Sequence, residues 1–477
     1  MINDTFQKQK HLYLVFFLFF AQFFILDAYY LDDLFRAQDG AFGWRRDGRA
    51  LGGFFYKILL HFQSPLADIY PIPLIVSGFF FCFIVYQLCK TLSITCTKQQ
   101  TLILLLLIAN PLALSNWLFR YDSAFMLLSV ALALLPFCIL HLSTKKWLIY
   151  STLSLLGALM TYQISLNIFI GFSAIFAFKL AVEHKSLKDI IKLILLSIVT
   201  LSAAYLIYSK IILAIMPTHD YFAQFRELPT ISKLLDVIHH NIIQSYEIIS
   251  PLFQSGLLAP FIIGLLLNIY CVIKTRNITI VLFYFIAFLT TTFAISGAML
   301  FSPNAPFSTR TFLGIIPFLI FPIITLALFK HNKLFIISSI YLCLTMLVID
   351  RAALNATNAE IKHQNTIAQQ IMTEASINHI TEIERIMILG KPIKSGIAKI
   401  SEQTYPIIST ILPHTFSGPY DGGRYIMMFN GYPKTTYPNP EQQEQLTQAI
   451  KSTMPIASNP IYKLYYIDQI LIINFES

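Results

Sequence analysis

Through most of the first 350 residues the apolar positions come in unbroken runs, with no period of two or of 3.6. Such runs are apolar on every side and belong in lipid or in a wholly buried core. Runs long enough to span fall at about 12–30, 71–89, 101–119, 123–142, 147–162, 165–181, 190–215, 252–273, 278–300, 311–329 and 334–350. They predict roughly eleven helices, each near the ~20 residues a bilayer requires. After Asp350 the pattern turns polar. "RAALNATNAEIKHQNTIAQQIMTEASINHI" alternates polar and apolar positions as a helix does, and "PEQQEQLTQAI" reads as a second helix. "ERIMILG", "RYIMMFNGY" and "IYKLYYIDQILIINF" read as strands. The expected fold is an all-α polytopic membrane module over 1–350, with a small C-terminal α/β domain over 351–477.

Lys8 and Lys10 ahead of the run from Leu12 to Leu26 look like the start of a signal peptide. Charge-rich sequence follows without a small-x-small cleavage site, so the run is read as an uncleaved first helix. No internal repeat or pair of inverted halves is visible, which weighs against a secondary transporter.

Composition agrees with the pattern. The 477 residues are 56% hydrophobic and 14% aromatic, with only 12% charged. Soluble domains carry about 25% charge. The net charge of +9 does not point to nucleic acid, because much of the excess lies in short loops between apolar runs, where lysine and arginine orient a chain in the bilayer. With the N-terminus inside, the inner loops carry Lys90 and Lys98, then Lys145 and Lys146, then Lys179 to Lys192, then Lys274 and Arg276, then Lys330 and Lys333. The opposite loops hold "DDLFRAQDGAFGWRRDGR", "NPLALSNWLFRYDS", "TYQIS", "PTHDYFAQFRELPTISKLLDVIHHN" and "SPNAPFSTR". Sequence-distant polar segments are thereby expected to meet on one outer face, and the C-terminal domain to lie outside with them.

The outer loop over 31–64 is the richest in chemistry. Asp32 and Asp33 precede Arg36 by one helical turn, so one carboxylate can pair with the arginine while the other stays free as a general base. Alone, such a pair is as well read as a solvated helix end. Arg45, Arg46 and Arg49, spaced by Gly43 and Gly48, suit a phosphate clamp of forked hydrogen bonds. Trp44 offers a flat face to a sugar ring, or an interfacial anchor. Beyond them, Phe54, Phe55, Ile58, Leu59 and Phe62 share one face of a helix too short to span, expected to lie in the interface.

Farther along, Arg120 is a second candidate phosphate contact, with Asp122 to orient it or to contact sugar; the plain alternative is an ion pair between the two. Tyr162 and Gln163 can bond sugar hydroxyls or a neighbouring helix. Arg310 enters a late helix from outside and suits a phosphate. His219, Asp220, Arg226 and Glu227 fill the long outer loop, and the adjacent His239 and His240 diverge on a helix, so no metal site is expected. The six cysteines show no metal-ligand spacing, and no cofactor is implied. Absent a Gly-rich loop for a nucleotide, an energy source outside the membrane has to arrive in a lipid, and a polyprenyl phosphate sugar meets that need.

The run "YLDDLFRAQDGAFGWRRDGRAL", followed by "NWLFRYDS", "TYQISLN" and "PFSTRTF", resembles the GtrII-type serotype-converting glucosyltransferases that modify O-antigen, inner-membrane enzymes of the GT-C class. The resemblance places the family's acidic motif on Asp32 and Asp33, its tryptophan-glycine-arginine segment on Trp44, Gly48 and Arg49, and its late arginine on Arg310. Ala50 stands where the family usually has proline. It implies an undecaprenyl phosphate glucose donor, or one with a similar sugar, and a periplasmic polysaccharide acceptor; a donor synthase and a flippase are candidate partners that the sequence itself does not establish. Two other readings are a flippase or transporter for a charged lipid or solute, and a polyprenyl-phosphate-dependent transferase of mannose, aminoarabinose or an oligosaccharide.

Overall fold

The computed structural model describes residues 2–26, 28–216, 218–380, 382–413, 415–416, 422–432 and 434–476. Each of the eleven apolar runs carries helix. In chain order the first ten helices are α1 (Ile2–Phe24), α2 (Asp32–Asp39), α3 (Ala50–Leu59), α4 (Ile72–Thr91), α5 (Thr97–Ile108), α6 (Pro111–Trp117), α7 (Ser123–Cys138), α8 (Thr144–Leu159), α9 (Leu166–Val182) and α10 (Leu187–Ile207). Helices over Leu234–Leu252, Leu258–Lys274, Ile278–Ser296, Ile315–Leu328 and Asn332–Ile377 follow. Among the described residues, six helical stretches are long and apolar enough to cross a membrane: Ile72–Thr91, Gln163–Val182, Leu187–Ile215, Ile231–Lys274, Ile278–Phe301 and Asn332–Ile377. The bent pair α5 and α6 adds a seventh when taken as one span. α7 and Ile315–Leu328 are apolar but shorter.

Local chemistry explains the breaks. Between α5 and α6 the chain turns by 73°. Pro111 brings no N–H to continue α5, and the Asn110 side chain accepts the Leu112 N–H at 3.0 Å to start α6. The Trp117 indole donates to the Ile108 carbonyl at 2.9 Å, satisfying an acceptor left over at the end of α5. A second break falls at Gly256, whose φ of 107° interrupts the path from Leu234 to Lys274. Its neighbour Ser255 accepts the backbone N–H of Ile407 at 3.1 Å, which ties the kink to the C-terminal region.

The last long helix runs without interruption from Asn332 to Ile377, through the change of composition at 350. Beyond it lies a four-stranded sheet of order β1-β4-β3-β2, with β1 (Arg385–Leu389), β2 (Ala457–Ser458), β3 (Lys463–Ile467) and β4 (Ile470–Asn474). β4 is parallel to β1 and antiparallel to β3. The hairpin read from "IYKLYYIDQILIINF" and the helix Pro440–Ala449 are both present. "RYIMMFNGY" is not a strand: Gly422–Phe429 is a helix, with Tyr425, Ile426 and Met427 buried. Those side chains join Ile367, Ile386 and Leu464 in a separate apolar cluster that also takes in Leu34 of α2. α2 therefore packs against the C-terminal region.

Candidate active site

α2 opens on a tight turn. Leu31 has φ of 48°, in the left-handed region that disfavours a branched side chain. The strain is met locally by Asp33, whose carboxylate accepts the N–H groups of Tyr30 at 3.2 Å, Arg120 at 2.8 Å and Tyr121 at 3.2 Å. Asp33 has no exposed surface. Burial pushes its carboxyl up to about 8, against the pull of those three N–H groups. It is a latch between α2 and the turn before α7, with no opening to solvent.

Asp32 points the other way. Its Oδ2 lies 3.1 Å from Arg310 Nη1, and the two side chains are 51% and 30% exposed. Burial raises its pKa, but attraction to Arg310, Arg36 and Arg49 outweighs that and leaves it below the ordinary value. Both residues line a cavity of about 900 Å³. Arg36, Arg46, Asp47 and Arg49 line it too, as do Tyr162 and Gln163, His219 and Arg226, and the stretch around Pro306. Four of the five outer loops read from the sequence thus meet at one space. The fifth, "NWLFRYDS", braces it from behind.

That brace is Asp122, which is 1% exposed. Its Oδ1 accepts the Trp44 indole N–H at 2.7 Å and lies 3.2 Å from Arg36 Nε; its Oδ2 lies 3.4 Å from Arg49 Nη1. Arg36 also lies over the Trp44 ring at 4.4 Å, and Arg49 over the Tyr162 ring at 4.9 Å. Two cations and an indole are thus gathered around the one buried carboxylate of Asp122, which leaves the group with a surplus positive charge. Trp44, with no exposed surface, and Asp122 stand behind the cavity wall rather than in it.

Arg120 is not the partner of Asp122. Its Nη2 lies 2.9 Å from Asp68, and its guanidinium lies near the rings of Tyr29 and Tyr70, away from the cavity lining. Arg45 is exposed and likewise outside the lining. The Tyr162 hydroxyl donates to the Arg310 carbonyl at 2.9 Å. The Gln163 amide donates to the Asp47 carbonyl at 3.0 Å and to the Tyr208 hydroxyl at 2.8 Å, and that hydroxyl donates to the Gly48 carbonyl at 3.1 Å. Gly48 has φ of 72°, and a Cβ there would lie 2.3 Å from Tyr208 Oη, so the turn requires glycine.

Sequence reasoning missed Asp47, Asp68 and Tyr208. Asp47 stood in view within "RRDGR", masked by the arginines around it. Asp68 lies in a polar connector with no motif, and Tyr208 reads as one more aromatic in a membrane run. It opens a π-helical turn, Tyr208–Ile212, a local widening that often marks functional positions. The cavity lining is also rich in apolar side chains, with Leu159, Ile164, Leu213, Phe222 and Met299 among them. One space therefore offers both guanidinium groups and hydrocarbon.

The sequence profile of the glucosyl transferase GtrII family matches residues 17–349, which take in the whole of this cavity lining. The chain belongs to the GtrII glucosyl transferase family. It is also similar to a Salmonella phage P22 protein described as an uncharacterised 55.3 kDa protein in the gtrB 5' region, with 26% identity over 237 residues, or 48% of this chain and 47% of that one. The chain spans about half the length of this curated relative. No solved structure matches the chain.

Proposed function

We propose that this GtrII family member is an inner-membrane glucosyltransferase. It moves glucose from a polyprenyl phosphate donor to O-antigen or a related surface polysaccharide, on the periplasmic side where its C-terminal domain lies. The observation that carries this reading is the cavity itself, lined both by guanidinium groups and by apolar side chains, in a chain that belongs to a glucosyl transferase family. Arg49 and Arg310 face the donor phosphate, with Arg46 at the rim. The apolar side chains of the lining take the isoprene units next to the phosphate, and the remaining tail lies in the bilayer. Trp44 and Asp122 serve by fixing Arg36 and Arg49. Tyr162 and Gln163 frame the sugar.

Transfer is a single inverting displacement. The acceptor hydroxyl oxygen attacks the anomeric carbon, a cavity carboxylate takes its proton, and the lipid phosphate leaves on the opposite face. Of the Asp32–Asp33 pair only Asp32 reaches the cavity, and it does so tied to Arg310. Charge that grows on the leaving phosphate is met by guanidinium groups already in place, an arrangement that costs no reorganisation at the moment of reaction. A donor synthase and a flippase supply the lipid-linked sugar.

The test is a transfer assay on the full chain in nanodiscs, with synthetic polyprenyl phosphate glucose and O-antigen fragments. Glucosylated fragment and free polyprenyl phosphate are expected from the wild type. Arg49→Ala and Arg310→Ala should each lower the rate by about 10²–10³, the size seen for loss of one oriented donor. A folded wild type that releases no lipid phosphate from any donor, yet moves the lipid across the bilayer, would refute the reading.

A further inference from the structure

Among the described residues, three carboxylates line the cavity: those of Asp32, Asp47 and Glu227. Asp32 is engaged by Arg310 at 3.1 Å. Glu227, on the exposed loop, accepts the Asn304 amide at 3.1 Å. Asp47 has no hydrogen bond or ion pair to its carboxylate among the described residues, although it is half-buried.

The backbone around Asp47 is fastened on every side. Its N–H donates to the Trp44 carbonyl at 3.1 Å, and its carbonyl accepts the Gln163 amide at 3.0 Å. The preceding Arg46 carbonyl accepts the His219 N–H at 3.1 Å. The following Gly48 carbonyl accepts the Tyr208 hydroxyl at 3.1 Å. A turn fixed this firmly, with one free carboxylate at the cavity wall beside Arg46 and Arg49, is arranged for a reaction partner that arrives from outside. A base must also be unengaged, since an adjacent guanidinium holds a carboxylate in its charged form and weakens its hold on a proton. That disqualifies Asp32 more than Asp47.

We propose that Asp47 is the carboxylate that accepts the acceptor's proton, and that Asp32 is a positioning residue that holds Arg310 toward the donor phosphate. The proposal rests on the glycosyl-transfer reading above. In the step, the acceptor oxygen forms its bond to the anomeric carbon. The bond from that carbon to the phosphate oxygen breaks, and its electron pair leaves with the phosphate. The hydroxyl proton passes to Asp47 and is later lost to water. Burial supports the assignment by raising Asp47 from its ordinary value; Arg49 and Arg36 pull against it, while Asp122 and Asp32 add to it.

Azide separates the roles, because it attacks without a proton to lose and needs no base. In the nanodisc assay with polyprenyl phosphate glucose, Asp47→Asn should lose sugar-to-sugar transfer by about 10²-fold or more. Its donor KM should stay within a few-fold of wild type, and with azide it should form glucosyl azide at close to the wild-type rate. Asp32→Asn should raise the donor KM and be slow with both nucleophiles. The proposal is overturned if Asp47→Asn transfers to sugar within three-fold (roughly 0.7 kcal/mol) of wild type. It also falls if azide fails to restore a variant that still binds donor, or if azide restores Asp32→Asn instead. Should Asp47→Asn not bind donor, Asp47→Glu decides: retained partial transfer supports the base, and full loss in a donor-binding protein refutes it. A wild type inactive with every donor refutes the glycosyl-transfer reading first, and the assignment with it.

Discussion

At Asp33 the N–H groups of Tyr30, Arg120 and Tyr121 converge on one carboxyl group that has no exposed surface. A neutral carboxyl still has lone pairs for those donors, and burial pushes its pKa up to about 8. The consequence for stability has a definite sign. Below about pH 4 both folded and unfolded chains hold the proton, and Asp33 is neutral in the balance. As pH rises toward about 8, the unfolded chain ionises Asp33 while the folded chain keeps the proton, so the folded state loses ground. Asp33→Asn cannot ionise, and the decline of the unfolding midpoint between pH 5 and pH 8 should be shallower in it than in wild type. At pH 5 the variant should be less stable by about 1–3 kcal/mol, because its amide nitrogen faces an N–H that had an acceptor. Thermal unfolding in detergent checks both, and parallel pH slopes would sink the argument. The chemistry of this pair was visible in "LDDLFR", but not its division of labour. Which aspartate turns inward is decided by the turn at Leu31 and by the N–H groups of residues 120 and 121, some ninety positions away.

The turn from Gly43 to Arg49 shows how one short element is held by two distant ones. Gln163, at the start of the α9 span, and Tyr208, at the end of α10, both bond to its carbonyls. Gly48→Ala introduces a Cβ at 2.3 Å from Tyr208 Oη, with φ of 72°. The backbone term alone costs about 1–2 kcal/mol, and the clash adds to it. Gly48→Ala should lower both the unfolding midpoint and the transfer rate, and adding Tyr208→Phe should recover part of the loss, since the clashing atom is gone while the backbone term remains. A double-mutant cycle on unfolding free energy checks this, and strict additivity would show that the two residues do not meet. Elements of this kind were only half legible. Apolar runs gave away the helices, because a helix in lipid is apolar on all sides. "RYIMMFNGY" misled because a short apolar run fits helix and strand alike. Its side chains are assigned by what they pack on, here the helix through Ile367 and the strand through Ile386. Arg120 was paired with its sequence neighbour Asp122, and tertiary packing gave it Asp68 instead.

Across the whole molecule, α2 couples two regions that composition alone separates at residue 350. Asp32 lines the cavity, while Leu34, two residues on, is buried in the apolar cluster of the C-terminal domain. The same helix is gripped again at Asp39, which receives Lys434 at 2.9 Å and the Tyr425 hydroxyl at 3.3 Å, and next to it the Tyr30 hydroxyl donates to the Ile411 carbonyl at 2.5 Å. Magnitudes decide which of these contacts holds the domain to the site. Lys434 is 71% exposed, so its ion pair falls in the class worth about 0–1 kcal/mol. Truncating a buried leucine costs about 2–5 kcal/mol. Lys434→Ala should therefore leave both transfer and proteolysis of the C-terminal domain close to wild type. Leu34→Ala should speed that proteolysis and raise the donor KM, although the leucine does not line the cavity. On the proposed reading the link is mechanical: loosening Leu34 releases the helix on which Asp32 meets Arg310, and the donor phosphate loses an oriented cation. If Leu34→Ala speeds proteolysis while the donor KM stays at the wild-type value, the domain is docked on α2 without setting the geometry of the site.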